Sequence, residues 1–158
     1  MGQHRFRLPD FWNLEKHQAS CIHVVGLDGM PSPCRVELDG QILTISRGRN
    51  ESGKVHLPCP FGDRGELSVS TGTLPEAEEP YDLMTELARG TLNRLRNQLS
   101  TWHEGGLAVS ASLVDQVEQA TADLGASVVT GEPEAKDRLA RQAMERAMDC
   151  IFQLSTEF

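Results

Sequence analysis

The sequence is poor in aromatic residues and has no long hydrophobic segment. Of its 158 residues, 5% are aromatic, with two tryptophans and one tyrosine. No apolar run approaches the roughly 20 residues of a membrane-spanning helix, and the N-terminus lacks the apolar core of a signal peptide. These absences exclude a membrane-spanning helix and predict no membrane partner. A cytoplasmic location is the default expectation.

The usual motifs of metal sites and catalytic centres are also missing. The five histidines show no HxxxH or Cys–His ligand spacing, and the four cysteines form no CxxC pair. There is no GxSxG elbow, Walker A loop or GxGxxG loop. No metal site, cofactor or catalytic residue is therefore predicted, and the chain by itself is not expected to be an enzyme. Buried free thiols are expected, and a Cys21–Cys34 bridge between adjacent strands is the alternative.

Positive charge is scarce in the second half of the chain. The net charge is −8, and residues 1–75 hold eight basic and eight acidic side chains. Residues 76–158 hold seven basic and fifteen acidic side chains, so the whole excess lies there. A net-acidic surface repels phosphate backbones, so no nucleic-acid partner is predicted.

Residues 1–75 have the pattern of five to seven short strands joined by turns. The clearest signal is Asp39-Gly40 between two alternating runs, which predicts a type I′ hairpin. A turn at these two residues would place Leu38 opposite Gln41 and Val36 opposite Leu43. One face of the hairpin is then expected to enter the core, with Cys34, Val36, Leu38, Leu43 and Ile45 on it.

The hydrophobic period changes to 3.6 after the acidic, proline-bracketed segment 75–80. Helices are predicted from about Tyr81 to Trp102, after a cap at Ser110, and from Pro133 onward. The apolar stripe of the last helix continues to Phe158, which predicts a piece of a longer chain. The expected fold is α+β. An antiparallel β-sheet or small β-sandwich (1–75) is followed by a two- to three-helix unit (76–158), and both form one compact module.

The first predicted helix carries an unusual polar face opposite its apolar stripe. Gly90 lies in its interior at a cost of about 1 kcal/mol relative to alanine, which suggests a kink or the close approach of another backbone. The polar face is either solvated or docks on a partner. Its members are spaced three and four residues apart: Glu86, Arg89, Asn93, Arg96 and Asn97.

Aromatic side chains that could stack on a sugar ring are few. Trp12 and Phe61 lie in turn-rich segments, so they are the candidates for exposed carbohydrate-binding platforms. Trp102 falls on the apolar stripe of the first helix and is expected in the core. The simpler alternative for Trp12 and Phe61 is also a place in the core.

Three segments resemble a known family. The runs RVELDGQILTISR, ESGKVHLPCPFG and LSVSTGTLPEAEEPYDLMTELARGTLNRLRNQ are similar to the region preceding the catalytic barrel in a group of bacterial, mainly planctomycete, proteins. Those proteins belong to glycoside hydrolase family 10, the endo-1,4-β-xylanase-like enzymes. The likeness extends from about Arg35 to the end and is densest at Glu86–Gln98.

The resemblance implies a non-catalytic N-terminal accessory domain. Such a domain would support or orient a downstream catalytic barrel of the same chain, and carbohydrate binding is a further expected role. The catalytic glutamates would lie in the barrel, so no catalytic residue is assigned here. The alternative is a stand-alone protein–protein interaction module that docks through the polar face of the first helix.

Overall fold

The computed structural model describes residues 1–157 and shows an α+β fold, with two four-stranded sheets in the N-terminal part and helices in the C-terminal part. Phe158, which the predicted apolar stripe included, lies outside the described residues. In chain order the strands are β1 (Gly2–Arg7), β2 (His23–Val25), β3 (Pro31–Ser32), β4 (Arg35–Asp39), β5 (Ile42–Arg47), β6 (Lys54–Pro60), β7 (Glu66–Ser70) and β8 (Tyr81–Asp82).

The two sheets contribute their buried side chains to one apolar core. The first has the order β4-β5-β1-β8, and the second has the order β3-β2-β6-β7. All pairs are antiparallel except β1 with β8. Alternate residues of β5 and β6 are buried, as period-two strands with one core-facing side require. The buried side chains of both sheets belong to one cluster that also includes the helices.

The hairpin between β4 and β5 exists, but its turn lies one residue later than predicted, so each β4 residue pairs two positions further along β5 than expected. Asp39 pairs with Ile42 and Leu38 pairs with Leu43, so the two turn residues are Gly40 and Gln41. Gly40 has φ +58°, and no non-glycine residue within 1–157 has a positive φ. A type I′ turn would need positive φ at Asp39, whereas a glycine at the first turn position is typical of type II′.

The hairpin face that we expected in the core is buried only in part. Leu43 and Ile45 are fully buried, whereas Cys34 and Val36 are half-buried and Leu38 is exposed. The reason is that β4 is the edge strand of its sheet, so its outer half has no neighbour to cover it.

Within residues 1–157, three long helices follow the strands and one short helix lies between β1 and β2. The second helix begins at Leu83 because Tyr81 and Asp82 pair with β1 instead. Ser110 caps the third helix by accepting a hydrogen bond from the Leu113 N–H, as predicted. Pro133 begins the fourth helix, also as predicted. The helices are α1 (Lys16–Ser20), α2 (Leu83–Glu104), α3 (Ala111–Val129) and α4 (Pro133–Glu157).

An ion-pair cluster joins the first sheet to α2 and α4. Arg7 of β1 donates two hydrogen bonds to Asp137, at 2.7 and 2.8 Å, and one to Asp82 at 2.7 Å. Lys136 also binds Asp82, at 2.9 Å. The bidentate bond to Asp137 raises the pKa of Arg7 above its usual range. Burial alone would raise the pKa of Asp82, but the bonds from Lys136 and Arg7 outweigh it and lower that pKa.

All four cysteines are free thiols. Cys59 and Cys150 are buried as expected, whereas Cys21 is exposed and Cys34 is half-buried. The Cys34 thiol donates a hydrogen bond to the Ile22 carbonyl oxygen and forms no covalent bond to Cys21. No helix within residues 1–157 is both long and apolar enough to cross a bilayer.

Candidate functional site: a basic groove beside helix α2

Helix α2 crosses the free edge of the second sheet at Gly90. A Cβ at this position would lie 2.0 Å from the Ser70 carbonyl oxygen, which is closer than any real contact. Glycine therefore lets the helix axis approach the end of β7, an edge strand that would otherwise present unpaired backbone groups. This confirms that Gly90 marks the close approach of another backbone.

The approach creates a groove between α2 and the outer face of the second sheet, which we call the basic groove. Its main cavity has a volume of about 720 Å³. A smaller cavity of about 230 Å³ adjoins it, sharing His56, Ser70, Gly90 and Arg94. The main cavity is lined by Val25, Lys54, His56, Ser70, Thr71, Gly72, Thr73, Gly90, Asn93, Arg94 and Asn97.

The groove is basic on a chain whose net charge is −8. Lys54 lies on β6 and Arg94 on α2, so cations flank the groove from the sheet and from the helix. Within residues 1–157, neither side chain forms an ion pair or hydrogen bond. None of the residues lining either cavity in this described part is acidic. The groove therefore carries positive charge that no intramolecular carboxylate neutralises.

His56 lines the sheet side of the groove and is stacked against a second histidine, His23. His23 of β2 pairs with His56 of β6, and their rings stack 4.8 Å apart with an interplanar angle of 11°. On the other side of β6, His56 pairs with Ser70 of β7. Burial, with the nearby His23 and Lys54, lowers the pKa of His56 below its ordinary 6.5. Near pH 7 this imidazole is therefore neutral and can donate or accept a hydrogen bond.

Several neutral side chains that can form hydrogen bonds line the groove and form none within the described chain. Asn93 and Asn97 project from successive turns of α2, and Ser70 and Thr73 lie opposite them. In the part of the chain that the structure describes, none of these four side chains has a hydrogen-bond partner. Their amides and hydroxyls offer both donors and acceptors to a ligand.

The predicted polar face does not form one continuous exposed surface. Glu86 is only 5% exposed, because every residue from 83 to 88 is buried between the sheets and the other helices. Burial raises the pKa of Glu86. The charge of Arg89 lowers this pKa, and the charge of Asp82 raises it, with a net increase. Arg89 turns back to Glu86 at 3.0 Å, and Arg96 hydrogen-bonds to Thr121 of α3 at 3.1 Å. Of the five predicted docking residues, only Asn93 and Asn97 line the groove.

The expectation that Trp12 and Phe61 are exposed is wrong. Trp12 is 8% exposed and Phe61 is 9% exposed, and both belong to the core. Phe61 continues the inward alternation of Val55, Leu57 and Cys59 along β6. Beside Trp12, it is Phe11 that remains exposed, under the guanidinium of Arg141. Neither Trp12 nor Phe61 is available as a sugar platform in this fold.

A second, apolar crevice lies at the C-terminal end of α2. Its volume is about 390 Å³, and Val114 of α3 is 40% exposed at its side. The Arg96 side chain, one of the predicted docking residues, forms part of its wall. The crevice is lined by Arg96, Leu99, Ser100, His103, Val109 and Val114.

Sequence reasoning missed Lys54, Arg94 and His56 of the basic groove. Lys54 and His56 alternate with buried residues along β6, so their outward direction was readable from the period of two. Arg94 lies four residues after Gly90, beside Asn93 and Asn97 on the helix surface. What the sequence did not reveal is that α2 crosses the end of β7 and brings these separate segments together.

Comparison with known proteins found neither a family model nor a curated protein that matches this sequence.

Proposed function

We propose that this chain is a non-catalytic accessory domain of a xylanase-like glycoside hydrolase and that it binds carbohydrate in the basic groove. The main support is the set of groove side chains that have no partner within residues 1–157. Sugars present hydroxyl groups that both donate and accept hydrogen bonds. The amides of Asn93 and Asn97 and the hydroxyls of Ser70 and Thr73 provide the matching groups.

The composition of the groove favours binding over hydrolysis. Most glycoside hydrolases use two carboxyl groups, as acid and as base or nucleophile, on either side of the scissile bond. The lining of the groove, within the described residues, contains cations, amides and hydroxyls but no carboxyl group. Such a set of groups can hold and orient a glycan, but it does not contain this pair.

The link to a catalytic partner comes from the sequence resemblance. The region it covers precedes a barrel in xylanase-like proteins, so the accessory domain would support or orient that barrel and hold polysaccharide near it. Because Trp12 and Phe61 are buried, sugar binding is assigned to hydrogen bonds in the groove and to no aromatic platform.

Isothermal titration of the 158-residue chain with xylohexaose tests the proposal. The Asn93→Ala/Asn97→Ala double variant is expected to lose most of the affinity, because two bidentate hydrogen-bonding groups leave the groove. The matched control is Asn13→Ala/Asn50→Ala, which removes two exposed asparagines elsewhere and should bind like the parent chain. Absence of binding to neutral and acidic oligosaccharides alike would overturn the proposal, as would equal loss in both double variants.

A second candidate function is a protein–protein interaction module that docks through α2. The observation that favours it is the apolar crevice beside Arg96, where Val114 and the half-buried Leu99 offer the apolar contacts of a protein interface. Val114→Asp would place a charge in this crevice without disturbing the basic groove. Loss of association with a xylanase-like catalytic barrel in this variant, with the Asn93/Asn97 variant unaffected, would favour docking over sugar binding.

A further inference from the structure

We infer that the glycan bound in the basic groove carries carboxylate groups, as uronic-acid oligosaccharides do. This inference rests on the proposed carbohydrate binding and specifies its ligand class. It follows from the positive charge of the groove, from its amide and hydroxyl side chains, and from the absence of a helix N-terminus among the described residues that line it.

The charge of the groove comes from Lys54 and Arg94. Both side chains border the same cavity, one from β6 and the other from α2, and neither has a partner in the described chain. A neutral sugar would leave both charges unused. A carboxylate between them would gain charge-assisted hydrogen bonds, which are roughly twice as strong as neutral ones. Because the whole chain has a charge of −8, an anionic ligand is repelled elsewhere and attracted here.

Within the described residues, no helix N-terminus lines the groove, so it lacks a device that holds phosphate or sulfate in many proteins. Such sites commonly use the N-terminus of a helix or a nest of backbone N–H groups. Gly90, Asn93 and Asn97 belong to the middle of α2, which begins at Leu83 and ends at Glu104. The planar guanidinium of Arg94 instead matches the two oxygens of a carboxylate. The neighbouring amides and hydroxyls would then contact the hydroxyl groups of the same sugar.

His56 adds a pH dependence to this recognition. The charged or titratable groups that face it are His23 on β2, Lys54 on its own strand and Arg94 on α2. All of these are basic, and burial together with His23 and Lys54 keeps the imidazole neutral at pH 7. A bound carboxylate would favour the protonated imidazolium. Binding therefore takes up a proton, and the affinity should increase as the pH falls from about 7 toward 5.5.

The test compares a glucuronic-acid-bearing oligosaccharide with the same molecule after reduction of its carboxyl group to the alcohol. Isothermal titration at pH 7 and low salt should show about 10- to 100-fold tighter binding of the acidic form. In Lys54→Ala/Arg94→Ala this preference should disappear. It should persist in Lys16→Ala/Arg138→Ala, which has the same net charge but loses exposed cations outside the groove. For the parent chain, the preference should be larger at pH 5.5 than at pH 7.

The possible outcomes separate this inference from the proposed function. Equal affinity for the acidic and reduced glycans would overturn the carboxylate assignment and leave carbohydrate binding in place. Failure of both glycans to bind would overturn both. Displacement of the acidic glycan by sodium sulfate as readily as by sodium glucuronate would also overturn the assignment, because the site would then recognise charge alone. Equal loss of the preference in the two double variants would overturn it as well.

Discussion

Gly90 of α2 lies directly against the carbonyl oxygen of Ser70 at the end of β7, with no room between them for a side chain. This contact brings α2 against the end of the edge strand β7, beside the basic groove. Asn93, Arg94 and Asn97 follow Gly90 on the next turns of the helix. The approach of helix to strand thus determines which side chains face His56 and Lys54.

Gly90→Ala is expected to destabilise the protein. The added methyl group would overlap the Ser70 carbonyl and the Thr71 backbone, and overpacking of this kind costs about 1–3 kcal/mol. Because the nearest atom is a backbone oxygen only 2.0 Å away, the cost should lie in the upper part of this range, above the gain of about 1 kcal/mol from the better helix propensity of alanine. Urea unfolding followed by circular dichroism measures the change.

The matched control for Gly90→Ala is Gly125→Ala. Gly125 lies inside α3, and a Cβ there would meet nothing within 4 Å. Alanine should therefore stabilise α3 by about 0.5–1 kcal/mol. If both substitutions changed the free energy of unfolding in the same direction, the close contact of Gly90 with Ser70 would be contradicted.

Asp137→Ala should weaken the junction between the sheets and the helices. Asp137 is 3% exposed and holds Arg7 through two hydrogen bonds. Removal of one partner from a largely buried pair costs about 3–5 kcal/mol, and the partial exposure of Arg7 and its remaining bond to Asp82 reduce this to about 2–3 kcal/mol. The comparison is Asp149→Ala, which breaks the exposed pair with Arg64 and should cost about 1 kcal/mol or less. Equal losses by urea unfolding would contradict this role of the buried cluster.

Glu86 and Asp82 should affect stability with opposite dependences on pH. Burial raises the pKa of Glu86 in the folded state. The protonated carboxyl of Glu86 therefore stabilises the fold at pH values below its ordinary pKa of 4.5. This contribution is lost as the pH rises through the higher pKa of the folded state. Glu86→Gln should thus become more favourable, relative to the parent chain, between about pH 4 and pH 7.

Asp82→Asn provides the contrast because the pKa of Asp82 is lowered. The charged carboxylate of Asp82 stabilises the fold at pH values above its ordinary pKa of 3.8. This contribution disappears as the pH falls through the lower pKa of the folded state. Asp82→Asn should therefore lower the free energy of unfolding by its full amount at pH 7, and this loss should become smaller only below about pH 4. Free energies of unfolding measured across this range check both signs, and parallel profiles for the two variants would refute the assignment.

The thiols should differ sharply in reactivity in the native protein. Cys21 is exposed and should react with Ellman's reagent at about pH 8 within minutes. Cys59 is buried, which raises the pKa of its thiol to about 12, so it should react only after unfolding. Cys21→Ser should remove the fast phase. A parent chain that shows four thiols under denaturing conditions also rules out the Cys21–Cys34 bridge, whereas only two would contradict the free-thiol structure.

The order and type of the main elements could be predicted because they depend on local pattern. Alternation identified the main strands, and the changed period after residue 80, the Ser110 cap and Pro133 identified the three long helices, whereas the two-residue strands β3 and β8 and the short helix α1 were not predicted. The error at the β4–β5 hairpin has a local cause as well. Asp-Gly is a preferred pair for a type I′ turn, but the observed pairing puts Gly40 in the first turn position and leaves Asp39 in the strand.

The candidate site was harder to predict because distant segments build it. Lys54 and Arg94 are 40 positions apart in the chain, and the packing of α2 against β7, closest where Gly90 contacts Ser70, brings their elements together. The same limit applies to Glu86. Helical spacing placed it on a polar face, but the packing around residues 83–88 buries it. The hydrophobic period of a helix alone cannot show that one of its turns, such as residues 83–88, is buried on all sides.

The location of the bound ligand is the decisive observation for carbohydrate binding in the basic groove. Amide chemical shifts of the ¹⁵N-labelled chain can be followed by NMR during titration with the glucuronic-acid-bearing oligosaccharide. We expect the largest changes at residues 54–56, 70–73 and 90–97, which form the basic groove, and we expect them to vanish in Lys54→Ala/Arg94→Ala. Changes centred on Trp12 and Phe61, or no changes at saturating glycan, would contradict binding in this groove.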